Sequence, residues 1–326
     1  MLDAGGWTDT WFAESGKVCS LAVGDGADVV VERAHATRSA DTGTIALSVT
    51  AYRDAYVFAV DDLPGRHPLL EATLRRWAPR DAQLRVTVSS AVPPGAGVGT
   101  SASVVVALIA ALDALGGRTL DASSLAKAAH EIETIELGLQ SGVQDQIAAA
   151  RGGANFIAIG PYPATNVRAL ALSPASWDAL SARVLTVYLN APHRSAALHE
   201  MVIESLATRD TDALLAPLRD AACRAADALE HDDLDAYGEA MVDNTRAQTA
   251  LHPALVSERA HDVIAVAQRA GAVGWKVNGA GGDGGTVTLL APDDPEPMRQ
   301  ALAGCAGVSI LPLVPTRDGA RIVDQD

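Results

Sequence analysis

The chain has 326 residues, 48% hydrophobic and 20% charged, which is enough apolar material for two globular domains. Its 25 basic residues against 40 acidic ones leave a formal charge of −15, arguing against nucleic acid or an anionic membrane as a main partner. No apolar run is long enough to cross a bilayer and no signal peptide is recognisable; three scattered cysteines (Cys19, Cys223, Cys305) lack metal-ligand spacing and fit reduced thiols in a cytoplasm.

Short strands are predicted at 17–23, 28–33, 44–51 and 55–60, separated by Gly or Asp turns. A helix at 69–77 precedes a strand at 83–90, where Leu84, Val86 and Val88 alternate with polar residues. Helices follow at 102–115, 123–137 and 143–150, the second with Asp121 as its cap and Gly138 as its stop. Strands at 154–159 and 167–172 close this half. Beyond 174–177 come a strand at 183–190 and helices at 195–207, 212–230, 234–251 and 255–270. Strands at 275–278, 286–290 and 308–313, with a helix at 296–303, complete the chain. Strands and helices are mixed rather than strictly alternating, so α+β with two sheets is favoured over a doubly wound sheet.

Three glycine-bearing clusters and one acidic pair stand out. Residues 93–103 read Pro-Pro-Gly-Ala-Gly-Val-Gly-Thr-Ser-Ala-Ser between a strand and a helix. Glycines let backbone N–H groups turn inward, Thr100 or Ser101 offers a cap, and the helix dipole favours an anion such as phosphate. The plain alternative is a turn. No Gly-x-x-x-x-Gly-Lys-[Ser/Thr] sequence is present, so this is not a P-loop. Residues 4–10 (Ala-Gly-Gly-Trp-Thr-Asp-Thr) read as a wall close to ligand, with Asp9 accepting from sugar hydroxyls, or as a turn with an exposed Asp. Asp145, in Gly-Val-Gln-Asp-Gln at 142–146, is either functional or a helix cap. Residues 276–286 carry five glycines between two strands, either a backbone passing close to a ligand or a flexible surface loop. Trp7 and Trp11 stack on a sugar or simply pack, and His193 and His199 lack zinc-ligand spacing.

In this order the clusters resemble the GHMP kinase family over nearly the whole chain. The motif at 94–103 is the most specific element. The opening motif resembles the branch containing fucokinases, and Gly142–Gln146 with Arg151-Gly152-Gly153-Ala154-Asn155-Phe156-Ile157 is similar to heptose 7-phosphate kinases. The resemblance implies an amino-terminal domain (1–176) like ribosomal protein S5 domain 2 and a ferredoxin-like carboxy-terminal domain (177–326), with the active site between them. It implies that Pro94, Gly95, Ala96, Gly97, Val98, Gly99, Thr100, Ser101, Ala102 and Ser103 wrap the phosphates of ATP. Gly279, Gly281 and Gly282 would close over the nucleotide. Gly6, Thr8, Asp9, Gln144, Asp145 and Gly281 would meet the sugar. Asp145 would act as general base or orient the hydroxyl, and Ser101 with Glu133 would hold Mg²⁺. Glu133 holds the family's place, twelve residues before Asp145, and that spacing favours it; placed at about 100° per residue, however, it falls at the rim of its helix's apolar stripe and Glu136 nearer the centre, so Glu136 is the fallback ligand.

The expected activity is ATP-dependent phosphorylation of a hydroxyl, the anomeric one, on a monosaccharide or a sugar phosphate such as a heptose 7-phosphate. Alternatives are a fucose- or galactose-type 1-kinase, a cyclitol kinase and a non-catalytic sensor. Only small-molecule partners are expected; a homodimer is left open. Arg151, Arg194 and Lys276 are the candidate cations for a distal phosphate; His193 and Arg194 follow a strand and open a helix, where the family often contacts ligand, although helix-start polarity explains them equally well. Two positions depart from the family pattern. Met1 stands where a first strand and a basic residue are usual, so either the true start lies upstream or the strand and its cation are missing, which would leave Asp145 without a positive neighbour; and Asp283 interrupts the third glycine cluster.

Overall fold

Three four-stranded sheets organise the chain, each with at least one face under helices. The molecule is known from a computed structural model that describes residues 1–24, 26–34, 43–191 and 195–323. Pro192, His193 and Arg194 lie outside the described residues.

The first half contributes β1 (Leu2–Ala4), β2 (Gly16–Leu21), β3 (Ala27–Ala34), β4 (Thr44–Val49), β5 (Asp54–Ala59), α1 (Pro68–Trp77), β6 (Gln83–Ser90), α2 (Thr100–Leu115), α3 (Ala122–Glu131), α4 (Gln144–Arg151), β7 (Ala154–Ile159) and β8 (Thr165–Ala169). The second half contributes α5 (Pro174–Arg183), β9 (Val184–Tyr188), α6 (Ser195–Leu206), α7 (Thr211–Glu230), α8 (Leu234–Leu251), α9 (Glu258–Arg269), β10 (Gly274–Val277), β11 (Thr286–Leu290), α10 (Glu296–Ala303) and β12 (Ser309–Leu311).

The first sheet, β1-β2-β7-β8, is antiparallel and buried on both faces. Alternation within β2 explains how: Val18 faces an apolar cluster with Val105, Ile109 and Ala129, while Cys19 and Leu21 face Ala225, Leu229 and Tyr237. Helices α2–α4 thus cover one face and α7–α8 the other, so this core runs across residue 176. The second sheet, β3-β6-β4-β5, has one parallel pair (β4 with β6) and rests on Leu70 and Leu74 of α1 and Leu108 and Leu112 of α2. Helix α2 is therefore wedged between two sheets. Five of its side chains (Val105, Val106, Leu108, Ile109, Leu112) are almost wholly buried, each stabilising the fold by about 1.5–3 kcal/mol. The third sheet, β10-β11-β9-β12, packs on α9 and α10.

Most predicted elements are present, with shifted ends. The helix expected at 255–270 starts at Glu258 behind a short 3₁₀ turn, and the strand expected at 167–172 ends at Ala169. The missing first strand is in fact there: Leu2, Asp3 and Ala4 pair with Leu21, Ser20 and Cys19. Three residues carry too little period-two pattern to be legible in the sequence.

Candidate active site

The turn after β6 delivers the chain to the N-terminus of α2. Gly99 is the N-cap, with φ +76°, and no side chain caps the helix; neither Thr100 nor Ser101 takes that role. The first helical hydrogen bond runs from Ser103 N–H to the Gly99 carbonyl at 3.0 Å, so the N–H groups of Thr100, Ser101 and Ala102 precede the ladder. They stand at the positive end of a 16-residue helix and line a cleft of about 590 Å³. Gly95, Ala96, Gly97 and Gly99 line it too. The turn itself is held from behind. Ala96 and Val98 are buried against Val92, Leu311 and Leu313, and the Thr286 hydroxyl of β11 donates to the Ala96 carbonyl at 2.9 Å. Pro94, Val98 and Ser103, expected around the phosphates, support the turn without lining the cleft; the Ser103 hydroxyl donates to the Gly99 carbonyl at 3.0 Å.

Asp145, in the first turn of α4, faces this corner. A Cβ added to Gly99 would lie 2.7 Å from Asp145 Oδ1, so the carboxylate rests against the glycine's own Cα. Burial pushes the Asp145 carboxyl up to about 6; the Met1 ammonium and Lys276 pull it down, and the Asp3 carboxylate opposes them. The expected lack of a positive neighbour is thus corrected. Lys276 comes from β10, far away in sequence, which is why no local pattern marks it.

Asp9 is 2% exposed, and its Oδ2 accepts from the Gln144 backbone N–H at 3.1 Å. Burial pushes its carboxyl up to about 7; the bond from Gln144 opposes this. A Cβ on Gly142 would strike this carboxylate, so the glycine there is a steric requirement. Asp9, Gln144 and Asp145 all line the cleft.

Glu133 also lines it, and it is brought there by a local change of helix type. Residues Ile132–Glu136 form a π turn, with Leu137 N–H bonded to the Ile132 carbonyl at 3.2 Å. The wider turn alters the phase that a regular α-helix would give. Glu133 is 7% exposed, whereas Glu136 points outward to Arg75 and Arg76 at 3.2 and 3.3 Å. Ser141 donates its hydroxyl to Glu133 Oε2 at 2.5 Å and accepts from Gln146 Nε2 at 3.3 Å. Burial pushes the Glu133 carboxyl up, while the bonds from Ser141 and Gln146 oppose it. The loop that carries Ser141 is pinned by Tyr162, whose hydroxyl donates to the Ser141 carbonyl at 2.9 Å.

Several predicted residues stand away from the cleft. Gly281 packs against the Leu255 carbonyl, and Gly282 N–H donates to the same oxygen at 3.1 Å, and neither lines the cleft. Gly279 and Ala280 line the cleft instead, Gly279 because its Cα lies against the Gly97 backbone. Gly6 sits between Asp3 and Gln144. Thr8 is fully buried, its hydroxyl donating to the Gly5 carbonyl at 2.7 Å and accepting from Lys17 N–H at 3.1 Å. Both brace the opening turn. Asp283 is exposed and not among the lining residues, so its charge points away.

Residues that sequence reasoning passed over complete the far wall. Trp7, for which sugar stacking and plain packing were both open, lines the cleft, and its ring meets His199 of α6 edge-on at 4.8 Å. Leu69, Gln140, Ser141, His199 and Glu200 line it as well. A polar loop after a helix was the only signal for Gln140 and Ser141. Five buried polar atoms lack a protein partner in this region: Trp7 Nε1, Thr100 Oγ1, Glu133 Oε1, Gln144 Oε1 and Gln146 Oε1. Such orphans are rare and expensive in a finished fold, and their clustering marks a place that a ligand completes.

Comparison with known proteins agrees with this geometry. The GHMP kinases N terminal domain matches residues 67–153. A mevalonate kinase of Pyrococcus horikoshii is 29% identical over 246 residues, 73% of this chain and 68% of that protein. A D-glycero-alpha-D-manno-heptose 7-phosphate kinase of Campylobacter jejuni is 27% identical over 215 residues, 65% of this chain and 63% of that one. The crystal structure of a D-glycero-D-manno-heptose 1-phosphate kinase from Bacteriodes thetaiotaomicron superposes with a TM-score of 0.77 at 20% identity, over 98% of this chain and 96% of that one. At that identity the likeness speaks to fold alone. Among the described residues no helix is long and apolar enough to cross a membrane.

Proposed function

Given that this chain belongs to the GHMP kinases, which are ATP-dependent phosphotransferases of a two-domain α+β fold, we propose that it moves the γ-phosphoryl group of ATP onto a hydroxyl of a small sugar or sugar phosphate. The contact between Asp145 and Gly99 carries this reading. It sets a carboxylate against the turn that would hold the phosphates. Ionised above pH 6, Asp145 accepts the proton of the attacking hydroxyl or aligns it, a contribution of about 10²–10⁴-fold. The free N–H groups at the start of α2 supply fixed positive charge to the phosphate oxygens, the kind of electrostatic support phosphoryl transfer needs.

The unpartnered Glu133 Oε1 and Thr100 Oγ1, with the Ser101 hydroxyl, form an all-oxygen donor set that fits Mg²⁺. Bound there, the cation would neutralise charge on the transferring phosphate. Asp9 and Gln144 offer acceptors to sugar hydroxyls, and the acceptor hydroxyl is the anomeric one on the family resemblance of the opening motif. We also keep residues 1–176 and 177–326 as the two domains, although α7 packs across that line. Three free cysteines support a reducing, cytoplasmic setting.

The experiment is ADP production by the full chain with ATP, Mg²⁺ and a panel of sugars, compared between the native protein and Asp145→Asn. Turnover that collapses in the variant while an ATP analogue still binds supports the reading. A variant that keeps near-native rates removes Asp145 from the chemistry.

A further inference from the structure

Resting on the kinase reading above, we infer that the acceptor is an uncharged sugar, carrying neither a second phosphate nor a carboxylate. Leading away from the phosphate turn, the cleft passes from Gly99 to Asp145, then to Gln144, whose N–H binds Asp9, and then to Trp7 and His199. The distal end of an acceptor lies along this path. The charged side chains that line it are Asp9, Asp145 and Glu200, with Glu133 beside the phosphate turn; among the described lining residues none is Lys or Arg.

Of the cations expected to serve a distal phosphate, Lys276 is committed elsewhere and Arg151 does not line the cleft. Lys276 is 2% exposed and donates to Asp3 Oδ1 at 3.0 Å and to the Val277 carbonyl at 2.9 Å. Arg151 ends α4, whose first turn carries Asp145, roughly 9 Å away along the axis at 1.5 Å per residue. Arg194 lies outside the described residues.

What the path does offer is hydrogen-bond acceptors. Among the described residues Gln144 Oε1 is buried with no donor, and the Asp9 carboxylate lines the cleft with the Gln144 N–H on its Oδ2. Sugar hydroxyls donate to such atoms; phosphate and carboxylate oxygens are acceptors only and leave them unpaired. A like charge set against Asp9 and Glu200 is repelled as well, the negative half of a specificity device.

The test is kcat/KM of the full chain for free hexoses, deoxyhexoses and heptoses, for the same sugars phosphorylated at the far end, and for mevalonate. Free sugars favoured by at least about 10²-fold support the inference. Preference for a sugar phosphate overturns it and leaves the kinase reading standing; preference for mevalonate overturns it together with the sugar acceptor, leaving only phosphoryl transfer from ATP. No ADP from any acceptor, with ATP analogue binding intact by calorimetry, overturns both. Glu200→Lys, at an exposed position, provides the second arm: it should lower KM for the phosphorylated sugar by roughly tenfold or more and narrow the gap. An unchanged gap counts against the inference.

Discussion

Lys276 Nζ lies 3.0 Å from Asp3 Oδ1, and both side chains are 2% exposed. The pair joins β10 of the third sheet to β1 of the first, a sequence separation of 273 residues, directly behind Asp145. Its removal on one side leaves a buried charge without a partner. Lys276→Met should therefore destabilise the protein by about 3–5 kcal/mol, read from urea denaturation, and Asp3→Asn should do similar damage. The double variant should recover most of that loss. Loss of the Lys276 charge also lets the Asp145 carboxyl rise, so the acid limb of the rate profile in Lys276→Met moves to higher pH.

Gly99→Ala tests the contact that carries the functional reading. Its φ of +76° strains any side chain, and the new Cβ would stand 2.7 Å from Asp145 Oδ1. The carboxylate must move by a few tenths of an ångström or more. We expect kcat to fall by roughly 10²-fold, because misplacement of a reacting group by about 1 Å is worth that much. Ala at Gly65, in a separate turn where nothing lies within 4 Å and φ is also positive, is the control for backbone strain alone.

Ser141→Ala removes the hydroxyl that holds Glu133 Oε2 and takes a bond from Gln146. The carboxylate loses its orientation but keeps its charge. The Mg²⁺ concentration for half-maximal rate should rise by about 10–100-fold, with KM for the sugar little changed. A parallel rise in sugar KM would assign Ser141 to the acceptor instead.

The pH profile should fall on the acid side near pH 6, where Asp145 takes up a proton and can no longer accept one from the hydroxyl. The titration of Asp9 also acts on stability. Its carboxyl is pushed up to about 7 in the fold, so the stability linked to its proton is present below about pH 4 and is lost as pH rises through 7. Asp9→Asn, which keeps an oxygen for the Gln144 N–H, should raise the ligand-free melting temperature at pH 8 and make little difference at pH 4. An Asp9→Asn protein less stable than the native one at pH 8 would contradict this.

Periodicity, glycine clusters and turn residues were enough to recover most helices and strands, the α+β class and the order of the three motifs. The reason is physical: amphipathic spacing and positive-φ turns are local properties, written in neighbouring residues. Asp9, Asp145 and the turn before α2 were legible on the same ground, since each sits in a distinctive short segment. Which motif residues face the cleft was not. Gly281 and Gly282 read as well as Gly279, yet they turn toward Leu255 because of how the third sheet meets the 3₁₀ turn before α9. Spacing to Asp145 favoured Glu133 while helix phase favoured Glu136; what brings Glu133 to the cleft is the π turn, a departure from 100° per residue that no pattern announces. Lys276 behind Asp145, and Trp7 against His199, join segments more than a hundred residues apart. Local sequence determined the elements and the phosphate turn; tertiary packing alone decided which charges meet across the cleft, because buried ion pairs and cleft walls are set by contacts between distant segments.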